Sequence, residues 1–248
     1  LVDSIEHTET VRVSYEALAP VWEQTTDDNL WNEALDRRPV VSLLPDTVMG
    51  LSVLDAGTAA GALAEELLDR GADVTGIDIS PSMIEIARAR CGGRGRFLIA
   101  DLGHRLRFDD NAFDGVVASL VLHYLQDWRP VLKEFARVLQ PSGWLIVSTD
   151  HPHSPFARAS TRKYLDTELV RDAWTKADVT VSVLFWRRPW SAILNAFVEC
   201  GFILERVVEP EISDEDRRHY ADDAAGVPDD PMRIVLRWRN GAGRLPDA

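Results

Sequence analysis

Val53-Leu54-Asp55-Ala56-Gly57-Thr58-Ala59-Ala60-Gly61 decides the reading of this chain. A short apolar run closes on an acid, a loop of small residues follows, and Leu63-Ala64-Glu65-Glu66-Leu67-Leu68 opens with helical spacing. That order predicts strand, tight turn and helix. A second apolar run, Val74-Thr75-Gly76-Ile77-Asp78, also ends in an acid. A small-residue turn at a helix N-terminus lets the backbone approach a ligand closely. An acid closing the next strand can hold both hydroxyls of a ribose. The pair points to a nucleoside-containing cofactor.

Working outward, strands are predicted over 51–55, 74–78, 97–100, 113–119 and 143–149. They alternate with helices over 60–70, 81–90 and 129–139, the second capped by Ser80 with Pro81 in its first turn. Such alternation implies right-handed βαβ units and a parallel sheet covered on both faces. Ahead of it, residues 1–10 are expected to fray, 11–22 to form a weak helix broken at Pro20, and 29–44 a helix restarting at Pro39. From His151 to Arg188 the chain is polar and aromatic, with Phe156, Tyr164, Trp174, Phe185 and Trp186, and reads as an inserted lid, helical and aromatic. A helix over 191–200 and strands over 202–209 and 233–239 are expected to close the sheet with an antiparallel edge. The acidic stretch 211–230 between them reads as a solvated loop. The expected organisation is a helical cap (1–45), a cofactor-binding core (46–150), a lid (151–190) and a closing unit (191–248).

The chain has 248 residues, 46% of them hydrophobic, enough to bury a core. Its net charge of −13 argues against a nucleic-acid partner, which needs a basic surface to displace counterions. Cys91 and Cys200 form no CxxC pair, which fits a reducing compartment and offers no zinc site. No apolar run reaches the roughly 18 residues of a membrane span. The acidic, polar start does not resemble a signal peptide, so a cytoplasmic monomer or homodimer is expected.

A nicotinamide-binding turn favours GxGxxG, with no acid just before it. Here Gly57 and Gly61 flank Ala59, and Asp55 would face a pyrophosphate. A cofactor carrying an ammonium and a sulfonium tolerates that acid, and S-adenosylmethionine carries both.

Further segments bear on the choice. Asp78 is followed by Ile79-Ser80-Pro81-Ser82-Met83-Ile84. Ala100-Asp101-Leu102, Leu106-Arg107-Phe108-Asp109, Phe113-Asp114-Gly115-Val116-Val117 and Leu139-Gln140-Pro141-Ser142-Gly143-Trp144 follow in order. In this series the chain resembles the class I S-adenosylmethionine-dependent methyltransferases of the small-molecule type, strongly over about residues 50–150 and weakly on either side. The resemblance implies a three-layer Rossmann-like α/β fold with a mostly parallel seven-stranded sheet. It implies that Asp55, Gly57, Thr58, Ala59 and Gly61 form the cofactor loop. Asp78 with Ile79 and Met83 would serve the ribose side, Asp101 and Leu102 the adenine, and Ser119 the end of the fourth strand. The chain departs from the family pattern at Ala59 and Ser142, where glycine is usual, and the Ala59 methyl is expected to crowd the cofactor.

Methyl transfer is an in-line displacement that mainly needs positioning and exclusion of water. A base is needed only for a protonated acceptor. His123, after the fourth strand, is the leading base candidate, equally readable as a loop-closing histidine. His151 and His153 follow the fifth strand as base, substrate contact or hinge, and no metal site is expected from them. Tyr15, Trp22, Tyr124 and Trp186 are candidate substrate contacts or plain apolar anchors, and Arg188 holds a substrate carboxylate or caps the lid. The leading function is methyl transfer to O, N or C of a small molecule. The alternatives are a non-methylating cyclisation or pericyclic enzyme on the same scaffold, and a non-catalytic binding module.

Overall fold

Among the described residues, the regular elements before the first strand are all helical. In the computed structural model, which describes residues 4–26, 28–154 and 163–241, α1 spans Ser4–Thr26 and α2 spans Arg38–Ser42, preceded by a π-helical stretch Leu30–Arg37. The Asn29 side chain caps that stretch by accepting the Asn32 N–H at 2.9 Å. Helix α1 starts earlier than expected and passes through Pro20. Proline deletes one helical hydrogen bond, but Leu18 and Ala19 beside it are buried against the rest of the molecule. Glu16 ties α1 down, accepting the Ser80 hydroxyl (2.5 Å), the Ser82 hydroxyl (2.5 Å) and the Ser82 N–H (3.1 Å).

The alternating region follows as β1 (Ser52–Ala56), α3 (Ala62–Asp69), β2 (Asp73–Asp78), α4 (Pro81–Arg90), β3 (Arg96–Ile99), β4 (Phe113–Ala118), α5 (Arg129–Val138) and β5 (Leu139–Asp150). Ser80 caps α4 through the Met83 N–H at 3.2 Å. Beyond β5 come β6 (Glu168–Lys176), β7 (Val179–Arg187), α6 (Trp190–Glu199), β8 (Phe202–Val208), the short helices α7 (Asp214–His219) and α8 (Ala221–Ala224), and β9 (Arg233–Asn240).

Seven strands form one sheet in the order β3-β2-β1-β4-β5-β9-β8. β1 to β5 are parallel, and β9 runs antiparallel to β5 and β8, which supplies the antiparallel edge. Successive side chains of a strand face opposite layers. Val53 packs with Leu63, Leu67, Val74 and Ile84 on one face, and Leu54 with Val116, Phe135 and Phe197 on the other. On that second face the Trp238 indole stacks on Phe197 at 4.3 Å. The fold is the three-layer, Rossmann-like α/β arrangement.

Two expectations are refined. The described part of the insertion is a strand pair rather than helix: β6 and β7 pair antiparallel as a separate hairpin, turning through Ala177 and Asp178. Ala177 takes a φ of +48°, the left-handed conformation that tight hairpin turns demand. Phe156 lies outside the described residues. The acidic stretch is not a plain loop either. It holds α7, whose Ser213–Asp216 capping box closes the helix start, and the buried Asp216 is paired with Arg38.

Candidate active site

The strand order reverses between β1 and β4, and ligands of such sheets bind outside the carboxyl ends at that point. A cavity of about 540 Å³ opens there, within the usual few-hundred-Å³ range of small-molecule sites. Its floor is the loop after β1 and the ends of β2 and β4. Its roof is α1 with the β6–β7 hairpin, joined through Val11, Leu18, Val181 and Val183 and by the Ser14 hydroxyl donating to the Ser182 carbonyl at 2.9 Å.

The loop is folded back on the second strand. Gly57 and Thr58 donate their N–H groups to the Ile77 carbonyl at 2.8 and 2.9 Å. The Asp78 carboxylate accepts the Ala59 N–H at 3.0 Å on one oxygen and the Ser80 N–H at 2.9 Å on the other. Burial pushes the Asp78 carboxyl up, and these backbone donors counter it. Gly57 sits at φ +82° with Val121 hard against the space a Cβ would take. Ala59 holds φ +46° and Ser142 φ +64°. The two positions that depart from the family glycines therefore keep the left-handed backbone that glycine takes freely. An L-residue there costs about 1–2 kcal/mol, and glycine returns about 0.5–1 kcal/mol of that through its larger unfolded-state freedom. Ala59→Gly is accordingly expected to raise stability by about 0.5–1 kcal/mol, read from the urea midpoint. A lower midpoint would contradict strain at this position.

Of the residues singled out in the sequence for the cofactor, Asp55, Gly57, Thr58, Ala59, Asp78, Ile79, Asp101, Leu102 and Ser119 line the cavity. Gly61 and Met83 do not. Gly61 starts α3 where a Cβ would lie 2.9 Å from the Ala87 Cβ, so it serves close helix packing, and Met83 is fully buried beside Ala19 and Ala60. Asp101 is pre-set by the Gly103 N–H at 2.7 Å and the His104 ring at 3.0 Å. Asp55 is buried, and its Oδ2 has no hydrogen-bond partner among the described residues. Burial raises its carboxyl to about 7, the neighbouring Thr58 hydroxyl opposes this, and the charges of Asp78 and Asp36 add to it.

His123 lines the cavity with Tyr15, Trp22, Tyr124, Trp174 and Phe185. Its ring sits 4.3 Å from that of Tyr124 and 5.9 Å from that of Phe185, and Nδ1 is buried without a partner among the described residues. Burial first, then the charges of Arg233 and Arg188, depress it to about 3, so the imidazole is neutral. The Tyr15 and Tyr124 hydroxyls are hydrogen-bonded at 2.8 Å.

His151, Trp186 and Arg188 stand outside this cavity. The His151 Nδ1 accepts the His153 N–H at 3.1 Å and its Nε2 meets Glu209 at 2.8 Å, so both ring nitrogens are committed to the fold. Arg188 is buried, donates to the Leu125 carbonyl at 2.6 Å and lies over the Trp128 ring at 4.2 Å. Arg187 anchors the insertion through the carbonyls of Lys163, Tyr164 and Asp166. Several cavity residues escaped the sequence reading, three charged ones among them. Asp36 and Arg37 come from the π-helical stretch and Arg233 from β9. In sequence Asp36 and Arg37 belong to an ordinary charged run and Arg233 opens an ordinary edge strand, so only the fold brings them to the site.

Fold and site together define a nucleoside-cofactor protein with an acidic rather than a phosphate-binding loop. The orphaned buried oxygen of Asp55 beside the loop fits a cofactor bearing an ammonium, as S-adenosylmethionine does. Comparison with known proteins agrees. Residues 54–147 match the family model described as a methyltransferase domain. A demethylmenaquinone methyltransferase of Tropheryma whipplei is 33% identical over 170 residues, covering 64% of this chain and 69% of that protein. The crystal structure of an S-adenosylmethionine-dependent methyltransferase from Mesorhizobium loti superposes with a TM-score of 0.65 at 26% identity, covering 82% of this chain and 96% of that one. The cyclase SpnF shares the fold, with a TM-score of 0.67 at 19% identity over 95% of this chain and 97% of its own. The chain belongs to the S-adenosylmethionine-dependent methyltransferase family. Its cofactor is S-adenosylmethionine, and no helix among the described residues is long and apolar enough to cross a membrane.

Proposed function

We propose that this enzyme methylates a small, largely apolar and planar acceptor bearing a hydroxyl or an acidic carbon, seated between His123 and the aromatic roof. The observation that carries this reading is the neutral His123 imidazole in a cavity wall otherwise built from Tyr15, Tyr124 and Phe185. A neutral imidazole accepts a hydrogen bond there, and flat apolar surface favours a flat apolar guest. The relative from Tropheryma whipplei, named for demethylmenaquinone, supports an acceptor of this size, and the net charge of −13 favours it over nucleic acid.

S-adenosylmethionine supplies an electrophilic methyl on a sulfonium. The chain holds the acceptor in line, excludes water beneath α1 and the hairpin, and takes the proton of the acceptor's hydroxyl or acidic carbon on the neutral His123 imidazole as the new bond to the methyl forms. We read residues 151–190 as the substrate-facing unit because Asp172, Ala173, Trp174, Thr175, Lys176 and Phe185 reach the cavity from it. His151 and Arg188 take no part in this reading.

The test is incubation with S-adenosylmethionine and a panel of phenols, enols and hydroxyquinones, following S-adenosylhomocysteine release. Turnover with one of them supports the reading, and an acceptor transformed without consumption of the cofactor would instead favour the cyclising alternative. With an acceptor in hand, His123→Ala should leave S-adenosylhomocysteine affinity unchanged. The depressed basicity of His123 places it at the weak end of base assistance, so transfer should slow by about 10²-fold. The wild-type rate should show no inflection from His123 near neutral pH. Full activity in the variant would remove His123 from the mechanism.

A further inference from the structure

The sheet ends on one side at β8, which pairs with β9 and with no other strand among the described residues. Its outer row of backbone N–H and C=O groups is open to a further strand. Three apolar side chains on it are exposed, Ile203 by 40%, Leu204 by 40% and Val207 by 46%. The opposite edge, β3, has four residues against the seven of β8, and a short edge strand offers little to pair with. β8 is the edge that invites a cover.

Opposed residues of a ladder face the same layer. Leu204 opposes Trp238 and Val207 opposes Leu236, on the face of Phe135 and Phe197. Ile203 opposes Arg239, Arg206 opposes Arg237 and Val208 opposes Val235, on the other face. The ladder shifts between Leu204 and Arg206, so Glu205 is the extra residue of a bulge. Its carboxylate meets Arg237 at 3.2 Å and Arg239 at 3.0 Å, which puts it on the face of Ile203 and Arg206. The faces taken by residues 203–208 therefore read the same in both directions from the point between Glu205 and Arg206.

The residue types read the same way. Ile203-Leu204-Glu205-Arg206-Val207-Val208 runs apolar, apolar, acid, base, apolar, apolar. Laid antiparallel to itself about that point, Glu205 opposes Arg206, Leu204 opposes Val207 and Ile203 opposes Val208, each pair on one face. A regular strand cannot do this, because strict alternation would set side chains of different faces opposite each other. The bulge removes the mismatch. Arg206 makes no ion pair among the described residues, and a carboxylate that takes two arginines still has acceptor capacity. Opposite charges and apolar pairs directly across a ladder stabilise it.

We propose that β8 is a self-complementary interface through which two copies of this chain pair edge to edge, in a twofold dimer that sets Glu205 of each copy against Arg206 of the other. The sheet then runs on from one copy into the next, and the closed twofold leaves no growing edge at β8. β5 and β9 stand between β4 and β8, so the interface leaves the cavity open. The inference is independent of the acceptor and of the cofactor.

The experiment is sedimentation of the full chain between about 1 and 100 μM, with Arg206→Glu beside wild type. Wild type should pass from monomer to dimer. Arg206→Glu opposes two carboxylates at both contacts of the dimer and should raise the dissociation constant by at least about tenfold, with an unchanged circular-dichroism spectrum. Register is read by oxidative cross-linking in a Cys200→Ala background. Leu204→Cys and Val207→Cys in one chain bring opposed Cα atoms to about 4.5–5.5 Å, within disulfide reach, so this variant should become a covalent dimer. Either substitution alone should not, because like positions are offset by three residues, about 10 Å. The cross-link alone decides should Arg206→Glu perturb folding. A chain that stays monomeric and uncross-linked would overturn the proposal and leave the edge to a different partner. A dimer unaffected by Arg206→Glu and without the cross-link would overturn it too, because the copies would then meet through another surface.

Discussion

Gly57→Ala should weaken cofactor binding severely and lower stability by about 2–5 kcal/mol. Two effects combine. At φ +82° an L-residue is strained by about 1–2 kcal/mol. The new Cβ would also lie 2.6 Å from Val121 Cγ2 and 2.7 Å from Val121 Cβ, and overpacking of this kind costs about 1–3 kcal/mol. Val121 caps the turn Leu122–Tyr124 that carries His123 and Tyr124, so relief of the clash disturbs both the loop and the acceptor wall. Affinity for S-adenosylhomocysteine should drop by more than about 10²-fold, the loss that a few kcal/mol implies. Adding Val121→Ala to the variant removes the overlap but leaves the strain, so part of the lost stability should return. Wild-type affinity in Gly57→Ala, with an unchanged urea midpoint, would show that the loop does not need glycine.

The second large effect falls on Asp78. Its carboxylate holds the Ala59 and Ser80 N–H groups, the residue lines the cavity, and a carboxylate that accepts these bonds still has acceptor capacity for ribose hydroxyls. Asp78→Ala should weaken S-adenosylhomocysteine binding by about 1.5–3 kcal/mol, the worth of hydrogen bonds to a charged group. It also leaves two loop N–H groups without their acceptor. Asp78→Asn keeps the side-chain shape and one acceptor oxygen, so it should fall between wild type and alanine. Unchanged affinity in Asp78→Ala would show that β2 does not end at the ribose.

The segments legible in the sequence are those whose local chemistry agrees with the fold. Ser80 with Pro81 marks the start of α4 to the residue, because a capping hydroxyl and a fixed proline φ act within one turn. The apolar runs of β1 and β2 were legible because strands buried on both faces read as continuous hydrophobic stretches. The Rossmann-like class followed from their alternation with helices.

The hairpin was hidden for an equally local reason. A two-residue turn is announced by Asn-Gly or Asp-Gly, but Ala177-Asp178 makes this one, with alanine forced to positive φ. The path of α1 through Pro20 depends on burial of Leu18, which no local pattern carries. In the site, the loop and the acids ending β1 and β2 were legible because motif and geometry coincide on consecutive residues. Asp36 and Arg233 were not, since they lie 197 positions apart by their numbers and meet only through the sheet. His151 and Arg188 misled because position after a strand says nothing about which way a side chain turns. In the fold the one is committed to Glu209 and the other to the Leu125 carbonyl.

Calorimetric titration of the purified protein, freed of co-purified ligand, with S-adenosylhomocysteine tests the central claim most directly. Binding at one site per chain with a dissociation constant on the order of micromolar, severely weakened in Gly57→Ala, is the predicted result. A correctly folded protein that takes up no S-adenosylhomocysteine would contradict it, because the loop after β1, Asp78 and Asp101 would then line a cavity that does not hold the cofactor.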